Sequence, residues 1–203
     1  MRNLKGSFII EKKVMSKNDL IETILFIINK ILDYTSCLEK TTPTIFDQKN
    51  QEGESDSGGI STSSSSNDES NNLISEKEDI LTLADFFYFW IEKLDFNENL
   101  LVLAMMNMDK ILASPEFILT ENNVKNVLFT CMIITQKYYE DENFNDKDYS
   151  KLVKIDVNDV IKMEVEFLSL INFSLHIPEE EFFKYQKSLE DVWKKSLSFI
   201  SFE

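Results

Sequence analysis

The chain is poor in the residue types on which many active sites depend. It contains one histidine, His176, and only four glycines among its 203 residues. Zinc hydrolases, di-iron bundles and histidine-based triads need several imidazoles, or one imidazole beside a nucleophile. So few glycines also leave no glycine-rich phosphate loop. The sequence therefore argues against an enzyme, and we expect neither a metal nor a cofactor.

Cysteine is equally scarce. Cys37 and Cys131 lie far apart, each within a helical pattern, which is typical of core residues and not of a disulfide framework or a zinc site. We therefore expect a reducing compartment. The apolar run Phe8–Ile10 is too short for a secretory signal, and no later run approaches a membrane span. These features favour a cytoplasmic or nuclear protein without membrane contact.

Basic residues are outnumbered by acidic ones. The chain has 36 Asp and Glu against 21 Lys and Arg, which gives a formal net charge of −15. Because an acidic chain repels a phosphate backbone, we expect no direct contact with nucleic acid. The length and the hydrophobic fraction of 43% are sufficient for one sizeable core, so we predict one domain with appendages.

Helical spacing of apolar residues dominates the chain, and no strand pattern of comparable strength is present, so the fold is predicted to be all-α. The first helix is expected over residues 16–36, where Ser16 and Asp19 resemble a capping box. Residues 39–74 are rich in Ser, Asn and acids, and they are predicted to form a disordered insertion. We interpret its serines as part of a tolerated surface segment, although phosphorylation is an alternative.

Regular structure is predicted to resume near Ser75, at a second capping-box pattern, with five helices up to residue 176. Asn97 is expected to cap the second of these helices, and the third is expected to start around Glu121. A last helix begins after Pro178. The predicted organisation is an N-terminal helix (1–38), an insertion (39–74), a five-helix unit (75–176) and a C-terminal helix (177–203).

Three charged residues interrupt the apolar stripes of these helices. Asp109, Lys137 and Glu164 each lie in a different predicted helix of the five-helix unit. Because burial of an unpaired charge is costly, we expect each of them to have a partner inside or outside the molecule.

The order and spacing of these motifs resemble a cyclin box, specifically that of the single-box P/U-type cyclins. The segments that carry the resemblance are Asp85–Phe87, Met106–Ile111, Thr135–Asp141, Tyr149–Lys151, Met163–Leu168 and Asn172–Phe173. They cover about half of the chain, and the helix predicted over residues 16–36 matches the long helix that precedes the box in this family. The resemblance implies a five-helix box with one extra helix on each side.

The resemblance also implies a function. In cyclins the box clamps the C-helix of a cyclin-dependent kinase, and Lys137 and Glu164 match the lysine and glutamate that hydrogen-bond kinase backbone. Tyr138, Leu168 and Phe173 match positions that line the same contact. The chain is thus expected to bind and activate a cyclin-dependent kinase, and to be a monomer without it.

Some positions depart from the family pattern. Many cyclins pair the second-helix aspartate with an arginine of the first helix, but Ile80 stands at the corresponding position here. Asp109 is therefore expected to be structural, joining helices within the box, with a partner that the sequence does not name. Lys110 replaces an arginine that often follows this aspartate, and Lys154 stands where P/U-type cyclins tend to have glycine.

Two other functions remain open. An all-α adaptor with a cyclin-like fold would bind a non-kinase protein through the aromatic first helix of the box, which contains Phe86 and Trp90. A small helical enzyme is the third hypothesis, and it lacks a nucleophile–base pair. For Lys137 and Glu164 the alternative is an internal salt bridge with no role in binding.

Overall fold

The computed structural model describes residues 15–36, 46, 82–141 and 144–200. This part of the chain forms helices and no strands, which confirms the all-α prediction. The helices are α1 (Lys17–Thr35), α2 (Leu83–Lys93), α3 (Glu98–Leu112), α4 (Val124–Tyr139), α5 (Asp146–Val153), α6 (Val157–Leu170) and α7 (Glu179–Ile200). None of these helices has both the length and the apolar composition needed to cross a membrane.

Side-chain caps define where several helices begin. The predicted capping box of α1 is present, since Ser16 accepts from the backbone of Asp19 and the Asp19 carboxylate accepts from the Ser16 backbone. Asn97 caps α3 as predicted, by accepting from the N–H of Leu100 at 3.0 Å. Each cap satisfies N–H groups that lack a partner within the helix.

Local hydrogen bonds revise two of the predicted boundaries of the box, those at the starts of α4 and α5. The described part of α2 starts after Thr82, whose hydroxyl accepts from the Asp85 N–H at 3.1 Å; the capping box predicted at Ser75 lies outside the described residues. The start of α4 moves from Glu121 to Val124, because the buried Asn123 side chain holds the preceding turn. Helix α5, predicted from residue 149, already begins at residue 146, where Asn145 caps it.

Helices α3 and α4 form the centre of the molecule. Every side chain of α4 from Val127 to Gln136 is buried, including the free thiol of Cys131. Helix α3 packs along α4, α2 and α6 cover other sides of α4, and α5 packs on α6. Helix α7 packs on α1 and α3, and α1 also packs on α3, so the two helices outside the box lie together against α3.

The predicted insertion, residues 39–74, contains one described residue, Phe46. Its side chain is fully buried, and its ring meets Phe117 edge-on with 6.0 Å between centroids. The Phe46 carbonyl also accepts from the Asn126 side chain at 2.8 Å. At this one position the chain is packed into the core and not solvated, because an aromatic residue interrupts the polar stretch. The rest of the insertion lies outside the described residues, and the domain boundaries stay predictions.

We predict that Phe46→Ala lowers the free energy of unfolding by about 3–5 kcal/mol, because it leaves a cavity beside Phe117. Phe183→Ala is the matched control: this ring on α7 is 56% exposed, and its removal is expected to cost about 1 kcal/mol at most. Urea unfolding of both variants measures the difference. Equal losses in the two variants would mean that Phe46 is not part of the core.

Lys154 adopts a backbone conformation that favours glycine. It ends α5 with φ at 53° and ψ at 31°, in the left-handed region. A side chain with a Cβ atom is disfavoured there, and helices commonly end on glycine for this reason. The structure thus gives a physical reason why glycine would suit this position, at which the sequence departs from the P/U-type pattern.

Lys154→Gly is therefore expected to raise the free energy of unfolding by about 1 kcal/mol, because the Cβ clash in the left-handed conformation disappears. Lys154→Ala removes the same long side chain but keeps Cβ, and it separates loss of side-chain contacts from relief of the backbone. Thermal or urea unfolding is the measurement. A glycine variant no more stable than the alanine variant would contradict the prediction.

Candidate functional site

The last turn of α4 connects several helices through polar side chains. Gln136, Lys137 and Tyr139 follow one another on this turn, and each contacts a different part of the molecule. The segment from residue 135 to 141, which carries part of the family resemblance, thus forms the end of α4 and its polar contacts. It is the point at which α2, α5, α6 and the turn after α6 are tied to the central helix.

Lys137 lies between two carboxylates. Its Nζ is 2.5 Å from Oε1 of Glu164 on α6, and it also donates to Asp146 at the start of α5. The ammonium lies over the Tyr149 ring, 5.3 Å from its centroid. The structure therefore brings Lys137 and Glu164 together, which agrees with both the kinase-contact hypothesis and the salt-bridge alternative. It adds Asp146, which the sequence did not identify because the surrounding residues read as a loop.

Glu164 is the more shielded partner, with 14% of its side chain exposed against 25% for Lys137. Burial raises the pKa of Glu164, and the hydrogen bond and charge of Lys137 oppose this shift. A carboxylate in this setting is desolvated but still reaches the surface. It can accept a further hydrogen bond, and charge-assisted bonds of this kind are stronger than neutral ones.

A buried polar chain lies beneath Lys137. The Gln136 amide donates to the Leu94 carbonyl at the end of α2 at 2.8 Å, and its oxygen accepts from the Tyr149 hydroxyl at 3.1 Å. Tyr149 is fully buried, and burial raises its pKa to about 12. Its ring also packs edge-on against Phe129, with 6.4 Å between centroids, so the ring and its hydroxyl are both held in place beneath the lysine. Tyr149 is part of a segment that resembles the cyclin box, but the sequence analysis did not predict that its ring would support Lys137.

Apolar side chains surround the Lys137–Glu164 pair on α6. Ile161 and Leu168 lie three and four residues from Glu164 and are its neighbours on the helix surface, and Val165 in turn neighbours both of them. Ile161 and Val165 are exposed and Leu168 is partly buried. Tyr138, next to Lys137 on α4, is also exposed. Exposed apolar residues around a charged pair are typical of a surface that binds another protein. The sequence did not single out Ile161 and Val165.

Phe173 extends this surface beyond the end of α6. The helix ends in a Schellman motif, in which the N–H of Phe173 bonds the Leu168 carbonyl at 2.7 Å and the N–H of Asn172 bonds the Ser169 carbonyl at 3.0 Å. Asn172 and Phe173 both have positive φ, 51° and 56°. A bulky residue in this conformation costs on the order of 1–3 kcal/mol. In this conformation the Phe173 ring lies in solvent, where it is 69% exposed.

Asp109 contacts a helix outside the predicted box. Its Oδ2 accepts from the Tyr185 hydroxyl at 2.7 Å, which joins α3 to α7. The expectation of a partner within the box was therefore wrong in its location, because α7 covers this side of α3. Asp109 keeps contact with solvent, but packing against α7 buries part of its carboxylate and raises its pKa.

This raised pKa predicts a pH-dependent difference between the wild-type protein and Asp109→Asn. Ionised Asp109 is less favourable in the folded than in the unfolded state. Wild-type stability is thus expected to fall as the pH rises above the ordinary pKa of 3.8 and through the raised value. The asparagine variant lacks this penalty, so its stability relative to wild type should increase between about pH 4 and pH 7.

Urea unfolding across that range measures the effect, and contributions of other titrating groups cancel in the difference. Tyr185→Phe is the companion variant. It removes the hydrogen bond that opposes the shift at Asp109, so its pH dependence should be steeper than that of wild type. A constant difference between Asp109→Asn and wild type would contradict the prediction.

Comparison with known proteins places the site in a family context. Residues 61–176 match the family model described as the cyclin N-terminal domain. This range contains α2 to α6 and therefore the whole site formed by Lys137, Glu164 and Phe173.

Relatives match over a shorter range. The chain is 33% identical over 90 residues to Cyclin-U2-2 of Arabidopsis thaliana, which covers 44% of this chain and 39% of the relative. It is 28% identical over 89 residues to Cyclin-P3-1 of Oryza sativa subsp. japonica, covering 44% and 38%. It is 29% identical over 77 residues to PHO85 cyclin-7 of Saccharomyces cerevisiae, covering 38% and 27%. The matched part is about two fifths of the length of the plant relatives.

Proposed function

This chain belongs to the cyclin family, and we propose that it is a regulatory subunit that binds and activates a cyclin-dependent protein kinase by docking on the kinase C-helix. The observation that carries the proposal is the partly desolvated Lys137–Glu164 pair at the edge of an exposed apolar surface. In cyclins, residues that match these two hydrogen-bond kinase backbone. One of the similar proteins is named as a cyclin of PHO85, and this supports a role in binding a partner.

The chemistry of the pair suits a backbone ligand. Two of the three N–H bonds of the Lys137 ammonium point to Glu164 and Asp146, which leaves one donor for a carbonyl of the partner. Glu164 uses Oε1 for the lysine and offers Oε2 to a partner N–H. Because neither side chain is freely solvated, little water must be removed when the partner binds, and each new bond is charge-assisted.

The apolar residues supply the anchoring part of the contact. Phe173 and Tyr138 are exposed aromatic side chains, and Val165 and Ile161 extend the surface along α6. Aromatic anchors that enter a pocket of the partner carry much of the energy in many interfaces, while polar groups set the register. A kinase helix laid across α6 would meet both kinds of contact.

Activation then follows as a population shift. A kinase is active when the glutamate of its C-helix points inward to the lysine that holds the ATP phosphates. A subunit that binds this arrangement more tightly than the inactive one raises its population. The chain needs no catalytic residue for this role, since it contributes only binding free energy.

We predict that the double variant Lys137→Ala, Glu164→Ala loses kinase binding while retaining its helical circular dichroism. Glu164 is lost together with its partner, and Asp146, which also loses Lys137, has 36% of its side chain exposed, so no unpaired ion is left deeply buried and the fold is expected to survive. The measurement is recovery of a cyclin-dependent kinase from cell lysate by the tagged chain, identified by mass spectrometry. Kinase activity in the recovered complex is assayed in parallel.

The matched control removes another Lys–Glu pair. Lys184 and Glu180 form an exposed pair on α7, with 2.7 Å between Nζ and Oε1, and their double alanine variant should recover the kinase as well as wild type. If the wild-type chain recovers no kinase, the proposed function is wrong. If the Lys137/Glu164 variant binds as well as wild type, the pair is an internal salt bridge without a role in the contact.

The adaptor alternative depends on an exposed aromatic surface on α2, and this surface is smaller than the sequence predicted. It would use the aromatic residues of α2, but Phe87 and Trp90 are buried, and Phe86 is partly buried. Tyr88 is the exposed aromatic residue of this helix, and its hydroxyl donates to Glu22 of α1 at 2.6 Å. The aromatic side of α2 therefore serves mainly to pack the core, and the surface around Lys137 is the better candidate for a partner.

A further inference from the structure

We propose that Lys110 and Tyr139 are positioning residues that fix the turn after α6, so that Phe173 is presented to the partner in a set orientation. This inference rests on the proposed function, because Phe173 is a contact residue only if the surface around Lys137 binds a partner. Neither side chain is itself exposed as part of the apolar surface: both are partly buried. They act through the backbone of the turn.

The turn requires support from outside. Two consecutive residues without a glycine, Asn172 and Phe173, adopt left-handed conformations, and such residues persist only where the surroundings hold them. The Schellman hydrogen bonds of Phe173 and Asn172 tie the two N–H groups to α6. They do not fix the carbonyl groups that follow, at Ser174 and Leu175.

Lys110 holds both of these carbonyls from α3. Its Nζ lies 2.6 Å from the Ser174 oxygen and 3.4 Å from the Leu175 oxygen, and it also donates to the Asn107 side chain at 3.3 Å. Burial lowers the pKa of Lys110, while Glu181 opposes this shift. The ammonium is thus a three-way donor, and hydrogen bonds from a charged donor are stronger than those from a neutral one.

Tyr139 holds the turn from the other side. Its hydroxyl donates to the Leu175 carbonyl at 3.1 Å, and its ring lies against Tyr138 at 4.8 Å between centroids. Because Tyr139 is two residues after Lys137 on α4, this bond links the turn to the helix that carries the polar contact. This hydrogen bond and the two-residue step along α4 from Lys137 to Tyr139 therefore help to set the separation between Phe173 and Lys137.

A fixed separation favours binding. A single partner helix must meet the Lys137–Glu164 pair and the Phe173 ring at the same time. If the turn were mobile, ordering it on binding would cost conformational entropy and weaken the affinity. A turn that is already held avoids this cost. Lys110 and Tyr139 are therefore expected to affect affinity without touching the partner.

The test combines amide hydrogen exchange with a binding cycle. Lys110→Met removes the donors but keeps an unbranched apolar chain, and we expect it to speed exchange at Phe173 and Leu175 by about tenfold or more relative to amides of α1. Lys110→Arg keeps donors and should restore slow exchange. Lys162→Met is the control, since Lys162 is an exposed lysine of α6 paired with Asp159, and it should leave exchange at the turn unchanged.

Binding is measured with the cyclin-dependent kinase that the wild-type chain recovers. Lys110→Met and Tyr139→Phe are each expected to raise the Kd about tenfold in the wild-type background. In a Phe173→Ala background the same changes should raise it by less than about twofold, because there is no ring left to position. A merely structural lysine would produce the same loss in both backgrounds.

The outcomes separate this inference from the proposed function. Equal effects of Lys110→Met with and without Phe173, or unchanged exchange at the turn, would overturn the positioning role even if the kinase binds. Absence of any kinase bound by the wild-type chain would overturn the proposed function and with it the presentation of Phe173. The exchange rates alone would then decide whether Lys110 holds the turn.

Discussion

The arrangement of the site depends on one partly buried lysine placed between two carboxylates. Lys137 joins α4 to Asp146 of α5 and Glu164 of α6. Glu164, with 14% of its side chain exposed, depends on the lysine more than Asp146, with 36% exposed, because burying a charge away from water is costly unless it is paired. The same ions that hold α5 and α6 against the central helix are therefore the ions available at the surface. The ion pairs that pack the helices of the box therefore also place its polar groups at the surface.

The polar residues below the lysine follow the same rule. Gln136 is buried in a helix that is apolar on most sides, and both ends of its amide are satisfied, by the Leu94 carbonyl and the Tyr149 hydroxyl. A buried amide with one missing partner would destabilise the protein. Full satisfaction instead makes the turn rigid, and a rigid turn keeps Lys137 over the Tyr149 ring. A partner that binds at the proposed site would then meet side chains that are already held in place.

Sequence reasoning found the parts of this arrangement that local pattern determines. Helical spacing and side-chain caps predicted the helices, and the charges in apolar stripes predicted that Lys137 and Glu164 need partners. Tertiary contacts from ordinary-looking segments were not predictable. Tyr185, the partner of Asp109, lies in a helix whose spacing indicates only packing. Phe46 is a single aromatic residue in a polar stretch, and nothing local distinguishes it from a solvated side chain.

The polar half and the apolar half of the surface are both connected to the last turn of α4. The polar half is fixed by Lys137 and its carboxylates, and the apolar half, Phe173, is tied to the same turn through the Tyr139 hydroxyl. Side chains two residues apart on a helix point in different directions, so one turn can reach two separate parts of the molecule. The relative position of the two halves therefore depends on the end of α4 together with Lys110 of α3, which also holds the turn after α6.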